Sequence, residues 1–379
     1  MKNLIKSYSY NVFTAMLLAF ALFVQATHTV HAQAPDKSVV FHFTTVGDSR
    51  EEPALTKLNA QESLWIQNTK VLARMIREMQ AVKPQALFFN GDMIMGYTSD
   101  RVVLDRQYAY WRGMIAHLIE SGTYVVPVPG NHEMQVRSKT PDGKVVRQAM
   151  VENENAWRAN MGDLIFNQAR WQAMTNLSAT AWSMDHTPPI GADGVTTDQR
   201  QLSYSFDVGA IHFTIMNTDP VGFDNSAPVK WLEADLAAAQ QRGAKRFLVF
   251  AHKMAFTYTP DKVKVTGKTF ADGLDLRPVE RDAFWDVIER YQATYFTGHQ
   301  HVFNAQQPRK EQGGNAWQVI VGSGGTNFSI KKGASDNPYD YYFSWADVRV
   351  FSDNSMRIRV LGFDENFGPT RTIAEWDIQ

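Results

Sequence analysis

Five times along this chain a short hydrophobic run ends on Asp, Asn or His, usually beside glycine. Residues 39–46 lead into Gly47-Asp48-Ser49-Arg50, and residues 86–89 into Asn90-Gly91-Asp92. Residues 124–128 lead into Gly130-Asn131-His132-Glu133, residues 246–250 into Ala251-His252-Lys253, and residues 294–296 into Gly298-His299-Gln300-His301. Helical patterns separate the first three runs. One carries Leu64, Val71, Met75, Ile76 and Met79 and stops before Pro84; the other covers 103–120 and ends at Gly122. Short apolar strands alternating with helices predict a parallel sheet buried on both faces. Ligands bind such sheets at the carboxyl ends of the strands, so all five polar endings are expected along one edge.

Further on, 202–208 and 211–216 read as strands turned at Gly209, 229–241 and 283–291 as helices, and 317–321, 342–351 and 356–363 as β-rich runs. Residues from about 134 to 200 break the alternation. They hold Trp157, Trp171 and Trp182 and the turn signals Pro188-Pro189, Gly191 and Gly194, and are expected to form an insertion that partly covers the loop edge.

Taken singly, each polar ending has an ordinary reading. Asp48 or Asp92 could cap a helix, Asn131 could sit in a turn and His252 could be a satisfied buried histidine. Their recurrence at strand ends is what points to chemistry. Carboxylate, amide oxygen and imidazole together suit Mn, Fe or Zn, and the chain has no cysteine, which excludes thiolate sites, disulfides and a cysteine nucleophile. His299 and His301 are two apart and project to one side of an extended segment.

In this order, from about residue 40 to 330, the motif series resembles that of the calcineurin-like metallophosphoesterases. The resemblance implies a four-layer αββα sandwich whose second, more antiparallel sheet comes from the C-terminal strands. It implies two metal ions, the first held by Asp48, Asp92 and His301 and the second by Asp92, Asn131, His252 and His299. A hydroxide between the ions would attack phosphorus, with His132 stabilising the phosphoryl oxygens or protonating the leaving group. The substrate side would be met by Arg50, Asn131 and His132.

Two positions depart from the family pattern. Arg50 stands where an Asp-x-His ligand is expected; a guanidinium does not ligate a metal, so it is read either as a phosphate clamp or as half of a structural ion pair. Met95, three after Asp92, stands where purple acid phosphatases have a tyrosine and protein Ser/Thr phosphatases an aspartate that pairs with the catalytic histidine, which argues against both subfamilies. The expected activity is hydrolysis of a phosphomonoester or phosphodiester; the alternative is a non-catalytic metal- or phosphate-binding module with an incomplete first site. A net charge of -1 gives no general attraction to nucleic acid, so the expected partner is a small phosphoester.

The N-terminus reads as a secretory signal peptide: Lys2 and Lys6, an apolar run over 12–24, and cleavage after Ala32. The protein is therefore expected in the periplasm or secreted, without stable membrane insertion, as one domain over 33–379.

Overall fold

The computed structural model describes residues 37–51 and 68–379. The segment expected to be a signal peptide and Leu64 lie outside them. Two six-stranded mixed sheets pack face to face, and helices cover both outer surfaces.

The first sheet starts with the β-α-β-α-β series: β1 (Val39–Val46), α1 (Thr69–Val82), β2 (Ala86–Asn90), α2 (Arg101–Glu120) and β3 (Tyr124–Val128). Asp100 caps α2, its side chain accepting the Val102 and Val103 N–H groups, and α1 stops at Lys83 in the left-handed region just before Pro84. Strands β1, β2 and β3 are parallel neighbours. The second sheet is built on β7 (Ile211–Met216), β8 (Arg246–Ala251) and β9 (Thr294–Thr297), also parallel, with α6 (Val229–Arg242) and α8 (Pro278–Arg290) between them. Before β7, β6 (Tyr204–Val208) pairs with it antiparallel.

The C-terminal strands do not make a sheet of their own, as the family resemblance had implied. Strands β12 (Tyr342–Phe351), β13 (Met356–Asp364) and β14 (Arg371–Ile378) extend the first sheet antiparallel from β1. Strands β10 (Phe303–Gln306) and β11 (Trp317–Val321) extend the second from β9. The free edge of β1 would otherwise present unpaired N–H and C=O groups, and β12 satisfies them.

Between the sheets lies an aromatic seam. Phe88 of β2 stacks on Phe250 of β8 at 4.1 Å between ring centroids, and Phe43 of β1 meets Phe296 of β9 edge-on at 5.8 Å. Alternation along β2 sends Phe89 outward to Trp111 of α2. Trp231, Leu232, Phe284 and Trp285 pack α6 and α8 onto the outer face of the second sheet.

The 134–200 segment divides into two parts. Its first half, the hairpin of β4 (Gln135–Lys139) and β5 (Val145–Ala149) followed by α4 (Val151–Met161), lies beside the loop edge, where Asn153 donates to the Glu133 and Thr98 carbonyls. Its second half meets the loop edge at 193–199, where Gln199 accepts from Asn217 and Thr196 donates to the Val221 carbonyl, but its helix departs from the expected cover. Trp171 of α5 (Gln168–Thr175) is fully buried against Phe41, Tyr124 and Phe206, near the opposite ends of β1 and β3. Apolar area seals the seam there, since Trp171 gains more by burial than by shielding a polar edge.

Candidate metal centre

The polar strand endings meet at one place. Asp92, His252 and His299 each offer a ligand atom within 4.8 Å of the others, and so do Asp48, Asp92 and His301. Asp92 belongs to both groups. Asn131 joins the first: its Oδ1 lies 3.0 Å from His252 Nε2, while its Nδ2 donates to Tyr97 Oη at 2.5 Å and so fixes which way the amide faces.

Each candidate histidine has its other nitrogen engaged. His252 Nδ1 donates to the Asn90 carbonyl at 2.7 Å, leaving Nε2 3.2 Å from Asp92 Oδ1. His301 Nδ1 donates to the Asn327 carbonyl at 2.7 Å, leaving Nε2 3.5 Å from Asp48 Oδ1. His299 places Nε2 3.2 Å from Asp272 Oδ1, leaving Nδ1 3.1 Å from His252 Nε2. A carbonyl or carboxylate behind the ring is how metal-binding histidines are oriented. The set Asp92, Asn131, His252 and His299 therefore fits a divalent ion in both atom type and orientation.

The backbone is held in unusual shapes to achieve this. Asp48, Asp92 and His299 have φ of 63°, 53° and 69°, a region that costs a non-glycine residue about 1–3 kcal/mol and collects at functional sites. Glu133 supplies the restraint. Its fully buried carboxylate accepts four backbone N–H groups: Asp92 at 2.9 Å, Gly130 at 2.8 Å, Met93 at 2.8 Å and Ile94 at 3.1 Å. Two loops are clamped by that one side chain. Gly130 has to be glycine, because a Cβ there would come within 2.4 Å of the Asp92 nitrogen.

His132 is fixed differently. Its Nδ1 donates to the Met95 carbonyl at 2.5 Å, so the backbone at position 95 orients the imidazole with no help from the residue's side chain. Tyr97 covers the ring, the two centroids lying 3.7 Å apart, and His132 Nε2 stands 3.7 Å from Asp92 Oδ2.

Electrostatics separates the groups. Burial pushes the Asp92 carboxyl up, but His132, His252 and Arg50 outweigh it and hold Asp92 well below the usual carboxylate range. Burial likewise opposes charge on His252, yet Asp92 and Asp48 carry it up to about 9. Burial, then the nearby Arg50 charge, push His301 down to about 3 and lower His132 well below the ordinary imidazole value. Asp48 is pushed well up, chiefly by burial.

Arg50 enters the site itself. Its Nε lies 3.1 Å from Asp92 Oδ2 and its Nη2 3.3 Å from His301 Nε2, with the residue 6% exposed. It makes an ion pair with a candidate metal ligand, and its charge faces inward.

Three contributors were not legible as such. Glu133 carries no mark in the sequence of its four N–H partners, which only the fold brings together. Tyr97 and Asp272 had no signal: Asp272 lies in a loop between α7 (Asp261–Val265) and α8, far from any strand ending. Other histidines serve elsewhere. His42 pairs with Asp347, and His186 and His212 both pair with Asp235.

Beside the centre opens a cavity of about 600 Å³ that shares Asp272 with it and is also lined by Gln300, the residue after His299. Tyr258, Phe270 and Ile330 give it apolar walls, and Lys268 and Lys331 line it with positive charge.

Comparison with known proteins agrees with this architecture. The family model described as calcineurin-like phosphoesterase matches residues 41–303. A purple acid phosphatase from yellow lupin (Lupinus luteus) seeds superposes with a TM-score of 0.53 at 15% identity, over 90% of this chain and 54% of that one; the chain thus spans about half its length. A dimetal phosphatase from Danio rerio aligns with a TM-score of 0.44 at 14% identity, over 89% of this chain and 100% of that one. No curated protein matches in sequence. With the family model covering well over half the chain and the strand-end residues gathered as that fold gathers them, the chain belongs to the calcineurin-like phosphoesterase family, whose general chemistry is metal-dependent phosphoester hydrolysis.

Proposed function

We propose that this chain is an exported hydrolase of a small phosphomonoester or phosphodiester, working with a divalent ion, Mn, Fe or Zn, held by Asp92, Asn131, His252 and His299. The observation that carries the reading is the convergence of those four side chains, with Asn131, His252 and His299 each turning a ligand atom inward and bonding its other polar atom outward. An ion bound there supplies Lewis acidity and lowers the pKa of a coordinated water.

The chain's own residues do the rest. Arg50 and Asn131 flank the place where phosphoryl oxygens would sit, and the guanidinium adds a permanent positive charge in a buried setting, where it acts strongly. His132 has Nε2 as its exchangeable atom, since Nδ1 is committed to the Met95 carbonyl. Burial, and then Arg50, hold its pKa well below the ordinary imidazole value, and an arriving phosphoester anion would favour its protonation and donation to the leaving oxygen. The neighbouring cavity suits an alcohol portion with an apolar or aromatic body, with Lys268 and Lys331 available to a second anionic group.

The test is hydrolysis of a generic aryl phosphate and a bis-aryl phosphate by metal-loaded protein. Chelation should abolish turnover. Asp92→Asn should cost more than the roughly 10–100-fold that follows loss of an outer partner at metal sites. Well-metallated protein inert on a broad panel of both ester types would sink the reading and leave the second one, a metal- or phosphate-binding module. The observation favouring that module is the intrusion of Arg50 among Asp48, Asp92 and His301.

A further inference from the structure

The first ligand group already surrounds a cation. Asp92 Oδ2 receives Arg50 Nε at 3.1 Å, and His301 Nε2, its lone pair left free by the bond from Nδ1 to Asn327, receives Arg50 Nη2 at 3.3 Å. These are two of the atoms that would otherwise bind a first metal ion.

The arginine is also locked from behind. Thr326 Oγ1 lies 2.6 Å from the Arg50 carbonyl and 2.9 Å from the Asp48 carbonyl, its one proton shared between them, and the Arg50 N–H points to the Asp92 carbonyl at 3.4 Å. With both main chain and guanidinium engaged and the residue almost wholly buried, swinging it out would strand Asp92 and His301 without their partner. Asp48 keeps a use without any ion of its own: its Oδ2 accepts the His299 N–H at 2.9 Å and so positions a ligand of the other group. Its Oδ1 is buried with no hydrogen bond, and a second metal ion would have to attach there.

We propose that the guanidinium of Arg50 permanently occupies the first cation position, so that the chain carries a single metal ion, at Asp92, Asn131, His252 and His299. This rests on the hydrolase reading for its catalytic meaning but not for its occupancy. A guanidinium donates hydrogen bonds and cannot accept a ligand, so it holds phosphoryl oxygens without activating water. The two tasks that a metal pair shares would thereby be divided between unlike partners: an ion held by Asp92, Asn131, His252 and His299 would supply Lewis acidity toward water, and Arg50 would meet the phosphate.

The experiment counts metal in full-length protein loaded with Mn(II) and freed of excess ion, by elemental analysis and electron paramagnetic resonance. The wild type should hold about one ion per chain with the hyperfine-split signal of an isolated ion, and Arg50→His should hold about two with the broadened signal of a coupled pair. Wild type holding about two ions would overturn the proposal, whatever its activity. So would a folded Arg50→His variant, checked by circular dichroism, that still holds one. The wild-type count decides the matter even if that variant fails to fold. One ion together with turnover supports both readings, whereas one ion with no turnover on the ester panel leaves the occupancy standing and removes the hydrolase.

Discussion

Glu133 holds the main chain of Asp92: its Oε2 accepts the Asp92 N–H at 2.9 Å, and the same carboxylate takes the N–H groups of Gly130, Met93 and Ile94. This one acid keeps the shared metal-ligand candidate in its left-handed conformation. Glu133→Gln keeps the shape but offers one acceptor oxygen, and its amide N–H₂ would face N–H donors. Two or so backbone donors are left unsatisfied in a dry site, at about 1–3 kcal/mol each. We expect urea titration to show a loss of about 2–4 kcal/mol, accompanied by weaker metal retention. A variant as stable as wild type would show that Glu133 is not the clamp.

Gly96 has φ of 51°, and a Cβ built on it would stand 1.7 Å from the His132 carbonyl oxygen. Both partners in that clash are backbone, so neither can rotate away. Gly96→Ala must push apart the loop that carries the Met95 carbonyl and the short helix α3 (Asn131–Met134) that carries His132. The expected result is a fall in kcat of about 100-fold, in the range ascribed to general acid–base groups, with metal content close to wild type. Unchanged kcat would mean that the Met95 carbonyl is not what orients His132.

Much of the site could be read along the chain because each ligand candidate follows a strand in a parallel sheet, where sequence position alone fixes which edge a residue reaches. Asp48, Asp92, Asn131, His252, His299 and His301 all come together for that reason. Sheet membership was less legible. Strand β12 lies beside β1, pairing His42 with Arg349 and Phe43 with Val348, and nothing local in either segment specifies so distant a partner. Trp171 likewise carries no mark of which end of the sandwich it plugs. Arg50 is the intermediate case: the departure from Asp-x-His is visible in the sequence, but the direction of a long side chain depends on Asp92, His301 and Thr326, which only the fold assembles around it.

Asp272 stands behind His299, its Oδ1 3.2 Å from Nε2. A carboxylate in that place raises the basicity of the ligating nitrogen and fixes the ring, and losing such a partner costs about 10–100-fold in metal affinity. The Asp272 side chain is 57% exposed, so its removal should hardly disturb folding. Asp272→Ala should therefore weaken metal binding by that factor in a chelator competition assay while leaving the thermal midpoint close to wild type. Equal affinity in the two proteins would show that the His299 ring is set by something else.

Away from the centre, His212 lies fully buried between two carboxylates, with Nδ1 2.6 Å from Asp207 Oδ1 and Nε2 2.9 Å from Asp235 Oδ2. Asp235 also takes His186 Nε2 at 2.8 Å, Ser205 Oγ at 2.6 Å and Thr214 Oγ1 at 2.9 Å, and Asp207 takes Arg242 Nε at 2.6 Å. Burial pushes the His212 imidazole down, but Asp207 and Asp235 outweigh it and hold it above its ordinary value. The native state then keeps a proton that the unfolded chain releases. Its stabilisation is complete below the ordinary histidine pKa of about 6.5 and fades as pH climbs through the raised value, at up to about 1.4 kcal/mol per pH unit. Asp207 and Asp235 are held low despite burial, by these same partners, so their stabilisation is lost only on acidification below the ordinary carboxylate range and leaves the neutral-to-alkaline window to histidine. At about pH 6, His212→Gln should cost roughly 3–5 kcal/mol, because it strands buried carboxylates. As the pH climbs above the ordinary histidine value of about 6.5, the wild type should lose stability faster than the variant, narrowing that gap. Parallel pH dependences of urea unfolding for the two proteins would show that His212 does not carry the proton.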